Sequence, residues 1–334
     1  MLTWGLVGAG NFAHTIARAV KESSGSRLLA VNGRGEARTT AFQREHDIPR
    51  LYLNLDEMLS DPEIDIVHVA APTVTHRDVC IRAANAGKHI VSEKSLAMDM
   101  DEARDLLAAV ERNGVFFVEG LMYLSHPLMA RYSEIIRSGI LGTIKSVVAL
   151  YAAPSGGANP SSGGTILDLA CYPASLLQLT LQTAFGAGAF GDRRATAATG
   201  FASKANGNIL ETALSVRFGC GVLASLQSVG TVGFSTVFKV SGERGALEFE
   251  TNPWLPVAGA NVMRLRLYDR PTEEIVVQAD YDAYYHQVVL AEQQISAKQK
   301  VAVRPSPTPS DSLEILSLLT EWRTLAKASA EHSL

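Results

Sequence analysis

The chain has 334 residues, 47% hydrophobic and 19% charged, with 30 Lys and Arg against 34 Asp and Glu for a formal net charge of −4. It is long enough for two domains and apolar enough to bury a core in each, and its charge argues against a nucleic-acid partner held by a basic surface. Three widely spaced cysteines predict reduced thiols. No apolar run approaches the ~20 residues of a membrane span, and the N-terminus shows no secretory signal. We therefore expect a cytoplasmic protein with no membrane partner.

Short apolar runs alternate with helical patterns through the first third of the chain. Strands are predicted over 2–7, 27–32, 65–70, 88–92 and 115–119, and helices over 12–22, 38–45, 74–86 and 99–112. The run 64–70 is apolar on both faces, as in a parallel sheet covered by helices on both sides. The pattern predicts a doubly wound parallel α/β sheet, the Rossmann architecture, as a first domain of residues 1–122.

The pattern changes after residue 122. We predict a helix over 127–137, a strand over 144–151, a flexible Gly- and Ser-rich loop over 155–164 and a helix over 166–181. Consecutive strands follow over 195–203, 209–218, 222–228, 236–241, 246–250, 262–269 and 274–277, then a helix over 284–298, an extended linker over 304–309 and a final helix to about 327. This second domain, residues 123–334, is predicted to be α+β with a large open antiparallel sheet.

A glycine-rich turn joins the first predicted strand to the first helix and fits the pattern G-x-G-x-x-A, with residues Gly8, Ala9, Gly10, Asn11, Phe12 and Ala13. The first glycine makes the tight turn, the second lets N–H groups approach a pyrophosphate, and the small third residue lets the helix pack close to the sheet. The phosphate would lie at the helix N-terminus, where the dipole favours an anion. We interpret the turn as a dinucleotide site, with a purely structural turn as the alternative.

The loop after the second predicted strand bears on the choice of cofactor. Arg34 lies where a guanidinium pairs with a ribose 2′-phosphate, and Arg38 lies one helical turn further on. Glu36 could reach a ribose hydroxyl instead, and both arginines could be solvated charges at a helix start. The loop favours NADP and leaves NAD possible.

Three further segments accompany the glycine turn, namely 70–76 after the third strand, 87–94 across the fourth strand and its end, and 163–173 in the second domain. Together these motifs resemble the glucose–fructose oxidoreductase, inositol dehydrogenase and rhizopine-catabolism (Gfo/Idh/MocA) family. Residues 118–127, VEGLMYLSHP, resemble the branch that contains dihydrodiol dehydrogenases and xylose dehydrogenases.

The resemblance implies hydride transfer between a nicotinamide cofactor and a sugar, sugar derivative or cyclic diol, in a homodimer or higher homo-oligomer. It implies that the catalytic residues are Lys94, Asp168 and Tyr172. It also implies cofactor contacts from Ala71, Pro72, Thr73, Glu93 and Lys94. His76 lies in the same turn and is a further cofactor-side candidate, with a cap or surface role as the alternative.

The chemistry of these residue types agrees with that implication. Hydride transfer at an alcohol carbon needs a proton partner on the oxygen. Tyr172 can serve if an ammonium lowers the pKa of its phenol, and Lys94 follows a parallel strand at the sheet edge where such folds bind ligands. Asp168 and Tyr172 are spaced i, i+4, which places them on one face of a continuous helix. The alternatives are packing for Tyr172, a helix-start carboxylate for Asp168 and an exposed Glu93–Lys94 ion pair.

Two positions depart from the family pattern, because Ser95 replaces the proline after the lysine and Leu124 replaces an arginine of the branch signature. His68, His89 and His126 are expected in structural roles, and no spacing of His, Asp or Glu predicts a metal site. Two other functions stay open on this scaffold, an enzyme that cleaves glycosides with a bound cofactor and a dinucleotide-sensing regulator. The set Lys94, Asp168 and Tyr172 argues against the regulator, which needs no proton donor.

If Tyr172 exchanges the proton and Lys94 lowers the pKa of its phenol, Tyr172→Phe should lower kcat about 10²–10⁴-fold, the range of general acid–base catalysis. Lys94→Ala should cause a similar loss, and the double change little more, because either change disables the same unit. Asp168→Asn should be milder. Steady-state kinetics measures the losses, and fluorescence titration of the cofactor is the control. Turnover of Tyr172→Phe within about threefold of the parent would assign Tyr172 to packing.

Overall fold

The structure of the chain, a computed structural model, describes residues 1–154 and 163–331 and divides them into two compact units. The first unit comprises 1–125 and 283–313, and the second comprises 126–282 with the rest of the chain from 314. The loop predicted over 155–164 falls for the most part outside the described residues. Within the described residues, no helix combines the length and hydropathy that a bilayer crossing requires.

The first unit contains a parallel sheet of six strands in the order β3-β2-β1-β4-β5-β6. Its strands are β1 (Leu2–Val7), β2 (Ser26–Asn32), β3 (Arg50–Tyr52), β4 (Ile66–Val69), β5 (His89–Glu93) and β6 (Phe117–Gly120). Its helices before residue 126 are α1 (Asn11–Glu22), α2 (Glu36–Glu45), α3 (Leu55–Leu59), α4 (His76–Asn85) and α5 (Met100–Asn113). This strand order is that of a dinucleotide-binding sheet, and it reverses between β1 and β4, where such sheets bind ligands. The predicted Rossmann architecture is confirmed.

Helix α1 packs on the sheet through a face of small and branched residues, Ala13, Ile16, Ala17, Ala19 and Val20, all buried. Helix α5 has defined ends: the Asp99 carboxylate accepts hydrogen bonds from the N–H groups of Asp101 and Glu102, and Gly114 closes the helix with a left-handed backbone. Apolar periodicity places both helices, and the caps of α5 set where that helix begins and ends.

Helix α9 (Ala283–Ser296) belongs to the first unit, whereas the boundary expected after residue 122 assigned 283–313 to the second domain. Its buried residues Val288 and Ala291 join the hydrophobic core of the parallel sheet. The Glu292 carboxylate accepts hydrogen bonds from the hydroxyls of Ser23 and Ser26 between α1 and β2. Because these contacts are non-local, periodicity along the chain does not report them.

The second unit contains an eight-stranded sheet in the order β14-β13-β12-β11-β7-β10-β9-β8. Its strands are β7 (Ile144–Ala152), β8 (Arg193–Ala202), β9 (Ile209–Phe218), β10 (Leu223–Val229), β11 (Ser235–Gly242), β12 (Gly245–Phe249), β13 (Gly259–Leu267) and β14 (Glu273–Ala279). All neighbours pair antiparallel except β7 and β10, which are parallel. The large sheet of the predicted α+β domain is therefore confirmed as a mixed, mostly antiparallel sheet.

The helices of the second unit are α6 (Pro127–Arg137), α7 (Gly164–Asp168), α8 (Cys171–Phe185) and the part of α10 (Pro309–Glu331) that follows residue 313. Helix α8 is buried without interruption from Cys171 to Leu181. In α10, Trp322 Nε1 donates a hydrogen bond of 2.7 Å to the Thr212 hydroxyl on β9. Helix α10 is thus fixed to the sheet.

The continuous helix predicted over 166–181 is wrong. Helix α7 ends at Asp168, and α8 begins at Cys171 with Pro173 in its first turn. Proline has no N–H to donate to the carbonyl of Leu169, so it interrupts a helix but is tolerated in a first turn. Asp168 and Tyr172 therefore do not share the face of one helix.

Candidate active site

The glycine turn follows β1 in the first unit and is set by a close backbone approach. Gly8 has a φ of +115°, and a Cβ at this position would lie 2.3 Å from the carbonyl oxygen of Ala70. The Gly8 N–H donates a hydrogen bond of 2.8 Å to the carbonyl of Asn32 at the end of β2. Only glycine fits here, as the sequence motif predicts.

Gly10 precedes α1 with φ −87° and ψ 177°, an extended conformation that any residue adopts. A Cβ at Gly10 would meet nothing within 4 Å, and among the described residues no side chain caps the helix and no acidic residue lies in its first turn. Open space therefore adjoins a helix N-terminus whose N–H groups lack a side-chain acceptor. This arrangement suits the pyrophosphate of a dinucleotide.

Beyond β2, the chain turns tightly before α2. A Cβ at Gly33 would lie 2.3 Å from Thr39 Oγ1, which itself donates a hydrogen bond to the carbonyl of Gly35. Arg34 and Arg38 are exposed, and neither forms an ion pair within the part of the chain that the structure describes. Both positive charges are thus available to an anionic group.

The segment after β4 carries Ala71 and Thr73, both half-buried, and the exposed Pro72. His76 lies beneath it with no solvent exposure, and its two ring nitrogens lie 2.9 Å from the carbonyl oxygens of Ala71 and Ser95. Burial lowers the pKa of this imidazole. His76 connects the segments after β4 and β5, so its side chain supports these segments from below and presents no free nitrogen to a cofactor.

Lys94 directly follows β5, the position at which open parallel sheets place ligand-binding side chains. It is half-buried, and its peptide bond to Ser95 is cis. The preceding residue, Glu93, has its Oε1 3.1 Å from Nε2 of the buried His68 on β4. A Cβ at Gly120 would lie 3.1 Å from the same carboxylate oxygen, so a larger residue at this position of β6 would require Glu93 to shift.

Glu119 is a buried carboxyl on β6 that the sequence patterns did not single out. Only 2% of its surface is exposed, and its Oε2 has no hydrogen-bond partner among the described residues. Burial is the main cause that raises the pKa of Glu119 to about 7; the charge of Glu93 acts in the same direction, while the Ser312 side chain, the Leu96 N–H and Lys94 oppose the shift. Glu93 and Lys94 are thus near enough for their charges to act on the buried Glu119 carboxyl in opposite directions.

The second unit contains the other candidate residues, Asp168 and Tyr172. Asp168 is half-buried at the end of α7, and Tyr172, 7% exposed, lies in the first turn of α8. The Tyr172 ring stacks on Tyr151 with centroids 4.9 Å apart and planes 15° apart. The indole N–H of the buried Trp254 donates a hydrogen bond of 2.9 Å to the Tyr172 carbonyl.

Phe234 extends this aromatic cluster, with its ring 6.0 Å from that of Tyr151 and 56% of its surface exposed. Tyr151, Phe234 and Trp254 were not predicted from the sequence. Tyr151 lies on β7, Phe234 directly precedes β11, and Trp254 lies in the loop between β12 and β13. The sequence carries no local signal that groups them, because they are widely separated along the chain. The cluster packs against the Tyr172 ring, and the Phe234 ring stays more than half exposed.

Residues 2–121 match the model of an oxidoreductase family with an NAD-binding Rossmann fold, GFO_IDH_MocA. The chain is 31% identical over 178 residues to trans-1,2-dihydrobenzene-1,2-diol dehydrogenase of Danio rerio, covering 51% of this chain and 53% of that protein. It is 32% identical over 190 residues to D-xylose 1-dehydrogenase (NADP(+)) 2 of Haloferax volcanii, covering 54% and 58%. The chain thus spans about half the length of these relatives.

Solved structures share the fold over nearly the whole chain. A 3-ketoreductase from Actinomadura kijaniata, crystallised with TDP-benzene and NADP, has a TM-score of 0.84 at 23% identity and covers 97% of each chain. An aldose-aldose oxidoreductase from Caulobacter crescentus has a TM-score of 0.81 at 21% identity and covers 100% of this chain and 98% of that one. The fold class predicted from the sequence is confirmed along the full length.

The open space at Gly10 yields a test of the dinucleotide site. Gly10→Ala should leave the Tm unchanged, because the added methyl meets no protein atom, but it should obstruct the anion above α1. Losing a charge-assisted contact of ~1.5–3 kcal/mol weakens dinucleotide binding roughly 10- to 100-fold, measurable by fluorescence titration. Gly188→Ala, also in open space, is the matched control and should bind normally. Parent-like affinity in Gly10→Ala would place the pyrophosphate elsewhere.

The buried carboxyl of Glu119 should make stability depend on pH. Between its ordinary pKa of 4.5 and about 7, the native state holds a proton that the unfolded state releases, so stability falls as pH rises through this window. Above it, the ionised carboxylate costs on the order of 3 kcal/mol. Glu119→Gln should therefore unfold at higher denaturant than the parent at pH 8 and equally at pH 4. Parallel stability curves for the two proteins would show that Glu119 ionises normally.

Proposed function

We propose that the chain, whose residues 2–121 match the model of an oxidoreductase family with an NAD-binding Rossmann fold, is an NADP-dependent oxidoreductase. The reaction is hydride transfer between the nicotinamide and a CH–OH or carbonyl group of a sugar, sugar derivative or cyclic diol. The observation that carries the proposal is the uncapped N-terminus of α1 above Gly10, at the point where the strand order of the sheet reverses.

The first unit binds the cofactor in this proposal. The turn Gly8–Phe12 holds the pyrophosphate through its N–H groups, the segment Ala71–Thr73 borders the nicotinamide side, and Glu93 and Lys94 lie at the ends of the neighbouring strands. A bound nicotinamide supplies or accepts the hydride. His68 orients the Glu93 carboxylate through the contact of 3.1 Å, and His76 contacts the carbonyls of Ser95, the residue after Lys94, and of Ala71 in the segment after β4.

The second unit provides the proton partner and a surface for a ring. Tyr172 exchanges a proton with the substrate oxygen, Lys94 supplies the cation that makes its phenol titratable, and Asp168 orients the substrate. The exposed face of Phe234 suits the apolar C–H face of a sugar or cyclic diol. The relatives named for a dihydrodiol and for D-xylose support this substrate class.

The experiment is a screen of aldoses and cyclic trans-diols with NADP and NAD, monitored by the absorbance of the reduced nicotinamide. We expect turnover with members of both substrate groups and the higher kcat/KM with NADP. Purified protein that retains its cofactor and shows no net change in absorbance would instead identify the enzyme that cleaves glycosides with a bound cofactor. Cofactor binding with no turnover of any kind would identify a sensor.

The same proposal assigns the 2′-phosphate to Arg34, with Arg38 nearby. A charge-assisted pair of ~1.5–3 kcal/mol gives NADP a roughly 10- to 100-fold advantage over NAD. Arg34→Ala should remove most of this preference and leave NAD binding nearly unchanged. Arg44→Ala, an exposed arginine at the other end of α2, is the control and should keep the preference. Equal affinities for the two cofactors in the parent protein would refute the assignment.

We also propose a cytoplasmic homodimer, formed through the outer face of the large sheet. Val148, Leu223 and Val237 are 42–50% exposed on adjacent strands β7, β10 and β11, an apolar patch of the kind that pairs with a second copy. Within the described part of the chain, Cys80, Cys171 and Cys220 form no disulfide, which suits a reducing compartment. Sedimentation that shows only a monomer at micromolar concentration would contradict the dimer.

A further inference from the structure

The neighbouring ends of α1 and α2 bring three metal-ligating side chains together in the first unit. His14 lies in α1, Glu45 is the last residue of α2, and His46 caps its C-terminus. His14 Nδ1 lies 2.8 Å from His46 Nε2 and 3.1 Å from Glu45 Oε1, and His46 Nε2 lies 3.8 Å from the same carboxylate oxygen. Among the described residues, this is the one group of three such side chains with convergent ligand atoms.

The 2.8 Å and 3.1 Å separations are within hydrogen-bond range, and all three separations are also close to those between the ligand atoms of a metal site. With bonds of ~2.0–2.1 Å, the ligand atoms of a tetrahedral zinc site lie about 3.3 Å apart. The three observed distances lie on either side of this value, so small side-chain rotations would equalise them. Two imidazoles and one carboxylate also leave a fourth position for water, since the Glu45 side chain is 61% exposed.

The site is held by packing. The ring of Phe42, which is 2% exposed, lies 4.7 Å from the His14 ring and 4.5 Å from the His46 ring, centroid to centroid. The His46 side chain is only 14% exposed. Two of the three ligands are therefore preorganised, which reduces the entropy lost on binding an ion.

The charges around the cluster are mixed in sign. The Glu45 carboxylate belongs to the cluster itself and attracts a cation. Lys21 lies 3.9 Å from the exposed carboxylate of Asp47, which partly offsets its repulsion of a cation.

We propose that His14, Glu45 and His46 form a binding site for a divalent transition-metal ion, and that this site prefers Zn²⁺. Imidazole and carboxylate together suit zinc, whereas the hard ions Mg²⁺ and Ca²⁺ prefer sites made of oxygen alone. The bound ion connects the end of α2 to the first half of α1, the helix that begins at the glycine turn. It stabilises the fold in proportion to its occupancy.

The test is calorimetric titration of the full chain, freed of any affinity tag and treated with EDTA, with ZnCl₂ and separately with MgCl₂ near neutral pH. We expect one Zn²⁺ per chain, no measurable heat of binding for Mg²⁺, and a rise in Tm with Zn²⁺. Glu45→Gln and His46→Gln should each weaken Zn²⁺ binding about tenfold or more, since loss of a direct ligand exceeds the usual cost of altering its supporting contacts. Co²⁺ bound to the parent should give the visible bands of a tetrahedral site.

Glu22→Gln is the matched control, an acidic residue on α1 paired with Arg18 outside the cluster, and it should bind Zn²⁺ as the parent does. Because Glu45 is exposed, its variant should keep the Tm of the parent in EDTA, so weaker binding there does not reflect unfolding. Absence of Zn²⁺ binding in the parent, or affinity unchanged in Glu45→Gln and His46→Gln, overturns the proposal.

Discussion

The close approach of Gly8 to the Ala70 carbonyl is the constraint on which the first unit depends. The oxygen occupies the place that a Cβ would take, while the Gly8 N–H binds the carbonyl of Asn32. The carboxyl ends of β1, β2 and β4 are thereby joined at one backbone position. Helix α1 starts three residues later, so the direction of its free N–H groups follows from the same contact. A side chain at residue 8 would therefore both separate these strand ends and displace the anion site.

Much of the fold follows from patterns that the sequence displays locally. Buried strands such as β4 read as continuous apolar runs, and α1 shows its buried face at helical spacing. The strand β3 and the helix α3 were missed because each is short, with three and five residues, and so carries too few periods to register. The break before α8 was missed because apolar residues continue across it, and only Pro173 marks it.

The candidate site likewise contains residues that the sequence indicates locally and residues that only non-local contacts bring together. Gly8 was predicted because its positive φ and close backbone approach require glycine, and Gly10 because it completes the same glycine motif. Lys94 was implied by the family resemblance and by its position after a buried strand. The His68–Glu93 pair and the buried carboxyl of Glu119 depend on neighbouring strands of the sheet, which sequence spacing does not reveal. His14 and His46 are separated by 32 positions, so no metal-site spacing links them, although the packing of α1 and α2 brings them within 2.8 Å.

The order of segments along the chain has a consequence for synthesis. The first unit draws on 1–125 and then on 283–313, and helix α9 from the later stretch contributes Val288 and Ala291 to its core. On the ribosome, the parallel sheet therefore emerges before the helix that covers part of its apolar surface. At ~5–20 residues per second, translation takes roughly 10–40 s to deliver the missing stretch. During that interval the nascent chain exposes a surface for chaperones, and a fragment that stops at residue 125 should behave as an incompletely folded protein.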